Sequence, residues 1–245
     1  MPSGLELRPS SSIRSPVNER SEVARLSGTH QIERAGFCRA LNSKVVGRRF
    51  AREVSRPYED LKLVVAHLGG GICISAQVGG RMMDVTDAQE EGSFSAERSG
   101  AVPVCQLTSL CFSGQYARVE IERMLVGEGG LKSYLGTADL IEVERRIEAG
   151  DEQARLVFDA MAYQIAKEIG GMATVCDGAL DAIVLTGGMA HSKRLVEAIS
   201  KHVAWITRVV VYAGEEELPA LAAGALRVLA GEEAHELEPL GAIAA

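Results

Sequence analysis

The sequence has no long apolar run. None of its segments approaches the roughly 18 consecutive apolar residues of a bilayer-spanning helix, and residues 1–15 lack the apolar core of a secretory signal peptide. The most apolar segment, residues 157–176, still carries Asp159, Lys167 and Glu168, and charges are costly inside a bilayer. These absences predict a cytoplasmic protein that does not partner with a membrane.

An excess of positive charge is also missing. Lys and Arg number 26 against 33 Asp and Glu, which gives a formal net charge of -7. Proteins that bind nucleic acid through its phosphate backbone are usually basic, so nucleic acid is not an expected partner. A small anionic ligand needs a local positive field in this chain.

Paired cysteines are not evident. The five cysteines are odd in number, widely spaced and set among apolar residues, a pattern that favours reduced core thiols over disulfides. We expect all of them to be structural. They are Cys38, Cys73, Cys105, Cys111 and Cys176.

What is present suits a folded protein and permits an enzyme. The chain has 245 residues, of which 47% are hydrophobic and 24% are charged, close to the values of globular proteins. From Gly36 onward, apolar residues recur every three to five positions and indicate an amphipathic helix that ends before Pro57. The apolar positions that define its face are Phe37, Leu41, Val45, Val46 and Phe50.

Strand and helix patterns follow that helix. Short apolar runs at 61–68, 72–78 and 81–86, separated by two glycine turns, predict a three-stranded meander. Residues 87–103 have little periodicity and are expected to form a functional or mobile loop. The run 157–176 is apolar around most of its circumference, which predicts a central helix packed on both sides. Further helices are predicted at 116–126 and 140–147.

The last third alternates strands and helices. Strand 182–186 passes through a Gly-Gly turn into helix 192–202, and strand 208–212 leads into a helix at 216–230. This order predicts a parallel strand pair covered by helices, and hence an α/β fold.

Two glycine turns are candidates for phosphate binding. Gly69, Gly70 and Gly71 follow the first strand, and Gly187 and Gly188 end a later one. Glycine lets backbone N–H groups approach phosphate oxygens without a Cβ in the way. The P-loop and dinucleotide-binding signatures are both absent, so the alternative that each pair merely makes a tight turn stays open.

The motifs in combination resemble the butyrate kinases, a group within the acetate kinase family. Those that carry the resemblance are 65–75 (VAHLGGGICIS), 97–100 (ERSG), 110–114 (LCFSG) and 185–192 (LTGGMAHS). Shorter matches are 25–28 (RLSG), 40–44 (ALNSK), 134–137 (YLGT), 163–167 (YQIAK) and 224–229 (GALRVL).

The resemblance implies a fold and a domain organisation. The expected fold is a ribonuclease H-like ATPase domain of the actin and Hsp70 type, with a mixed sheet flanked by helices. This nucleotide-binding domain is expected at 16–232, between a disordered arm at 1–15 and a flexible tail at 233–245.

The resemblance also implies site residues. Gly69, Gly70 and Gly71 are expected to hold nucleotide phosphates, and His67 to stabilise the phosphoryl group in flight, a role suited to a hydrogen-bond donor. Arg98 is expected to contact the transferred phosphoryl group or the acyl carboxylate, where a planar cation neutralises charge. Without the resemblance, a histidine at the end of a buried strand is more often a satisfied core residue, and Arg98 is equally a loop arginine in solvent.

Nucleotide and metal contacts complete the implied site. Gly187, Gly188 and Met189 match the family's adenosine motif, and Glu217 aligns with its glutamate near magnesium. Three consecutive glutamates at 215–217 equally form an acidic helix N-terminus. The implied cofactors are ATP and Mg²⁺.

One family feature has no counterpart. An N-x-G-S-T-S-x-K type phosphate motif is absent, and by the resemblance the N-terminal lobe is missing. The implied activity is phosphoryl transfer from ATP to butyrate or a branched short-chain carboxylate, giving an acyl phosphate. A homodimer or a separate N-terminal lobe is the expected partner. The alternative is a nucleotide-binding remnant, or a subunit of a split kinase, that cannot turn over.

Overall fold

One mixed five-stranded sheet carries the fold. The structure is a computed structural model that describes residues 19–214 and Gly231. Its strand order is β3-β2-β1-β4-β5, with β1, β2 and β3 antiparallel and β1, β4 and β5 parallel. The expected α/β fold is confirmed. The strands are β1 Lys62–Leu68, β2 Ile72–Val78, β3 Arg81–Val85, β4 Ala182–Gly187 and β5 Val209–Ala213.

Helices cover both faces of this sheet. One face carries α7 with α5, α6 and α8 packed around it, and the other carries α2. No helix within residues 19–214 is long and apolar enough to cross a membrane. The helices are α1 Glu22–Arg25, α2 Ala40–Glu53, α3 Val104–Cys111, α4 Arg118–Leu125, α5 Gly130–Leu135, α6 Leu140–Glu148, α7 Glu152–Val175 and α8 Lys193–Val203.

Local chemistry explains where the elements begin and turn. The side chains of Asp139, Asp151 and Ser192 accept hydrogen bonds from the first backbone N–H groups of α6, α7 and α8, as helix caps do. Gly79 and Gly80 join β2 to β3 with φ of 62° and 73°, a backbone conformation that favours glycine in hairpins. The helix predicted at 216–230, the arm at 1–15 and the tail at 233–245 lie outside the described residues.

Helix α7 buries one face rather than both. Ile165 and Met161 are fully buried against the sheet, whereas Leu156 on the opposite side is 64% exposed. The prediction of a helix packed on both sides is wrong because Arg155, Asp159 and Lys167 lie along one stripe four or eight residues apart. Those charges keep that stripe in water, although the helix is apolar on average.

Helix α2 buries only part of the predicted face. Val46 and Phe50 pack on an apolar part of the sheet as expected, but Leu41 is 49% exposed, and Asn42 and Ser43 are buried in its place. Near the start of the helix the sheet carries polar side chains, so the apolar count misses the polar half of the buried stripe. The buried polar side chains of the sheet are His67, Ser75, Gln77 and Thr186.

The cysteines divide into two groups. All five are free thiols, but Cys105 and Cys111 are exposed, so the expectation of five core thiols is wrong for this pair. Both lie on α3, a helix without a single buried residue. Cys73 and Cys176 are buried, and burial raises the pKa of each to about 11.

The carboxyl ends of β1, β4 and β5 meet closely. Gly187 at the end of β4 has φ of 90°, and a Cβ there would lie 2.3 Å from the carbonyl oxygen of Leu68. Gly187 and Gly214 exchange backbone hydrogen bonds of 3.1 and 3.0 Å. Only glycine permits this junction, so for Gly187 the tight-turn interpretation is sufficient.

The one-sided burial of α7 predicts a contrast between two of its residues. Ile165→Ala is expected to lower the free energy of unfolding by about 2–5 kcal/mol because it opens a cavity in the main core. Leu156→Ala is the matched control and should change it by less than about 0.5 kcal/mol because its side chain is mostly in water. Urea unfolding followed by circular dichroism measures both, and equal losses would contradict the assignment.

The strand-end junction predicts a second contrast. Gly136, which ends α5 with φ of 75°, has nothing within 4 Å of a Cβ position, so Gly136→Ala should cost about 1–2 kcal/mol of unfolding free energy from backbone strain alone. Gly187→Ala adds a clash with backbone and should cost about 3 kcal/mol or more. Thermal unfolding of the two variants separates backbone strain from the steric clash. If Gly187→Ala lowers the unfolding free energy less than Gly136→Ala does, the close contact between Gly187 and the Leu68 carbonyl oxygen is refuted.

Candidate active site

The two glycine turns are neighbours at one edge of the sheet. Strands β1 and β4 are parallel, with His67 opposite Thr186, so Gly69 to Gly71 and Gly187 to Gly188 follow their carboxyl ends side by side. This edge is where open α/β sheets bind ligands.

The turn after β1 is packed by a loop from elsewhere in the chain. Neither Gly70 nor Gly71 has the positive φ that would require glycine. A Cβ on Gly71 would instead lie 2.3 Å from Nη1 of Arg98, and Ser95 Oγ donates a hydrogen bond to the Gly70 carbonyl oxygen at 2.5 Å. Glycine at position 71 therefore makes room for the guanidinium group.

Arg98 lies half-buried against this turn, not in open solvent. Its Nη1 donates to the Ala88 carbonyl oxygen at 3.0 Å, and its backbone N–H donates to Ser95 Oγ at 3.2 Å. Its Nε is buried without a hydrogen-bond partner among the described residues. An unpaired buried donor costs free energy, and a guanidinium fork suits a phosphoryl or carboxylate group.

The loop that carries Arg98 is anchored through carboxylates. Asp87 is buried and accepts hydrogen bonds from the backbone N–H groups of Phe37 at 2.5 Å and Gln89 at 2.7 Å. Arg34 pairs with Glu91 at 2.9 Å, and this hydrogen bond raises the pKa of Arg34. The loop predicted at 87–103 is thus held to the preceding segment by buried polar contacts.

His67 ends β1 in a buried polar cluster. It is 2% exposed, and its Nδ1 lies 2.9 Å from Nδ2 of Asn42. Burial with a partner is also what a structural core histidine shows, so the role of His67 is argued below as part of the proposed function.

His67 and Arg98 both border Cys73. Cys73 pairs with His67 across β1 and β2. Burial raises the pKa of Cys73, and the positive charges of Arg39 and Arg98 act in the opposite direction. The fold thus brings the two predicted catalytic side chains to the same hairpin.

The turn after β4 leaves open space. Gly188 is exposed, and a Cβ there would meet nothing within 4 Å. Met189 is half-buried and packs against the main core. His191, which the sequence interpretation did not single out, has Nε2 3.5 Å from the position of a Cβ on Gly214. These residues lie beside the turn at Gly69 to Gly71.

The described residues do not build a metal site. No group of three His, Cys, Asp or Glu side chains within 19–214 is arranged to hold a metal ion, and Glu217 lies outside the described residues. Magnesium commonly takes one or two carboxylates together with substrate phosphates and water.

Three neighbours of the site went unrecognised in the sequence: Asn42, Thr186 and Ser95. Asn42 precedes Val46 and Phe50 at spacings of four, so it is a polar residue in a buried helical stripe. That spacing is a usable signal. The contacts of Ser95 and Thr186 depend on segments distant in the sequence and have no local signature.

Comparison with known proteins agrees with this architecture. The acetokinase family model matches residues 22–211. The acetate kinase of Porphyromonas gingivalis aligns with a TM-score of 0.78 and 23% identity over 86% of this chain and 61% of that chain. The acetate kinase of Entamoeba histolytica gives 0.74 and 21%, over 84% and 63% of the two chains. A propionate kinase of Francisella tularensis gives 0.70 and 24%, over 78% and 55%.

These likenesses confirm the expected ribonuclease H-like kinase fold. The chain spans 61% of the length of the Porphyromonas gingivalis protein. The family match extends from α1 into β5 and includes both glycine turns, His67 and Arg98. The chain belongs to the acetokinase family.

Proposed function

We propose that this chain forms the nucleotide-binding side of a carboxylate kinase. The reaction transfers the γ-phosphoryl group of ATP to a short-chain carboxylate and yields an acyl phosphate and ADP. The observation that carries the proposal is the Arg98 guanidinium, which lies against Gly71 at the carboxyl end of β1 with a buried donor unpaired.

The glycine turns are proposed to hold the nucleotide. Gly69, Gly70 and Gly71 bring backbone N–H groups to the phosphates, since no side chain of the turn itself stands between them. Gly188 offers an open surface for the adenosine, with Gly187 shaping the strand end and Met189 flanking it. The parallel pairing of β1 and β4, which sets the two turns side by side, supports this arrangement.

Arg98 and His67 are proposed to stabilise the charge that develops during phosphoryl transfer. A carboxylate oxygen attacks the γ-phosphorus, the bond to the β–γ bridging oxygen breaks, and ADP leaves with that electron pair. The equatorial oxygens carry the charge in the transition state. Arg98 neutralises it, and His67 donates a hydrogen bond.

Magnesium and the second side of the cleft complete the proposal. Mg²⁺ would accompany the nucleotide, with Glu217 as its protein ligand, and would supply further charge neutralisation. We propose that a separate lobe or a second subunit closes over the nucleotide and excludes water. Butyrate or a branched short-chain acid is the proposed acceptor, on the strength of the motif resemblance.

The proposal predicts acyl phosphate formation that depends on Arg98. The chain is mixed with ATP, Mg²⁺ and butyrate, alone and with the N-terminal lobe of an acetokinase family member, and acyl phosphate is trapped with hydroxylamine. Arg98→Ala is expected to lower the rate at least about 100-fold because a transition-state donor is lost. Arg118→Ala is the control, since the Arg118 side chain is 92% exposed and pairs with Glu122, and should leave the rate unchanged.

The outcomes separate catalysis from binding. Hydroxamate above background in either mixture supports the kinase. If neither mixture forms hydroxamate above background, catalysis is refuted. Calorimetric titration with ADP then decides whether the chain is a non-catalytic nucleotide-binding protein. If the ADP titration also gives no heat of binding, the chain is a purely structural domain.

A further inference from the structure

A chain of hydrogen bonds that diverges from Asn42 runs beneath the glycine turns. Asn42 Nδ2 lies 2.9 Å from His67 Nδ1 and donates to Thr186 Oγ1 at 3.4 Å. Thr186 Oγ1 in turn donates to the Gly214 carbonyl oxygen at 3.4 Å. The three side chains belong to residues that are 1%, 2% and 0% exposed, in the order Asn42, His67 and Thr186.

The direction of this chain follows from what each atom is able to do. A carbonyl oxygen only accepts, so the hydrogen of the Thr186 hydroxyl points to Gly214 and its oxygen receives a hydrogen from Asn42. The amide nitrogen has two hydrogens and no acceptor capacity, and the second one faces His67 Nδ1. Nδ1 must therefore accept, and a ring that accepts at Nδ1 carries its hydrogen on Nε2.

Stability alone does not account for the asparagine. Asn42 Oδ1 is buried without a hydrogen-bond partner among the described residues, and such an orphan acceptor costs about 1–3 kcal/mol. Val46 and Phe50 fill the same helical stripe with apolar side chains, so an apolar residue suits this face of α2. Residues that break a local rule in this way are characteristic of functional sites.

We propose that Asn42 is a positioning residue for His67. Its amide holds the neutral imidazole in the form with hydrogen on Nε2, so that His67 offers a donor, and not a lone pair, to the transferred phosphoryl group. The catalytic consequence rests on the proposed function, whereas the state of the ring is a property of the folded chain alone.

The state of the ring is measured directly. Protein labelled with ¹⁵N at its five histidines is examined by long-range ¹H–¹⁵N spectroscopy, and the His67 signals are those lost in His67→Gln. The expected result in the unsubstituted chain is hydrogen on Nε2. Hydrogen on Nδ1 would overturn the proposal without recourse to any variant.

A charge-matched pair of variants tests the cause. At pH 8, Asn42→Asp replaces the donating amide with an accepting carboxylate, so the His67 hydrogen is expected to move to Nδ1. Leu41→Asp adds the same charge one residue earlier on the exposed side of α2 and should leave the His67 ring unchanged. An unaltered ring in Asn42→Asp, or equal changes in both variants, would refute the role of Asn42.

Kinetics provide a separate readout. If the wild-type mixture forms acyl phosphate, Asn42→Asp should lower kcat by at least about 100-fold while KM for ATP stays within about twofold, because the lost donor acts only in the transition state. A rise in KM at constant kcat would contradict a positioning role. If the wild type is inactive, the proposed function fails, and the spectra still decide the state of the ring.

Discussion

The parallel pairing of β1 with β4 is the constraint on which the candidate site depends. These strands are separated in sequence by β2, β3 and five helices, yet the register sets His67 opposite Thr186. Both strands end in glycine turns, so the pairing converts two distant sequence motifs into adjacent walls of one site. The close approach of Gly187 to the Leu68 carbonyl oxygen locks this alignment.

Glycine is required at each turn for a different physical reason. Gly79 and Gly80 are required by positive φ, and Gly187 by both positive φ and a close backbone. Gly71 has neither of these requirements, because what occupies its Cβ position is the Arg98 side chain. The same residue type thus serves conformation in one turn and the placement of a cation in another.

Buried polar side chains support the candidate site from beneath. His67, Asn42 and Thr186 replace apolar contacts where α2 crosses the sheet, and Asp87 anchors the loop that leads to Arg98. A buried polar network of this kind is rigid when its donors and acceptors are paired. Arg98 Nε and Asn42 Oδ1, which are buried without a hydrogen-bond partner among the described residues, are points where that pairing is incomplete.

Sequence by itself predicted the five strands, the hairpin glycines and the helices α2, α4, α6, α7 and α8, because these depend on local period, capping and φ. The short helices α1, α3 and α5 were not predicted. It also identified the family motifs, and with them His67 and Arg98. Only the tertiary structure decided which faces of α2 and α7 are buried, that Cys105 and Cys111 are exposed, and that Asn42 contacts His67. The reason is that burial and side-chain pairing depend on which segments, distant in the chain, pack opposite one another.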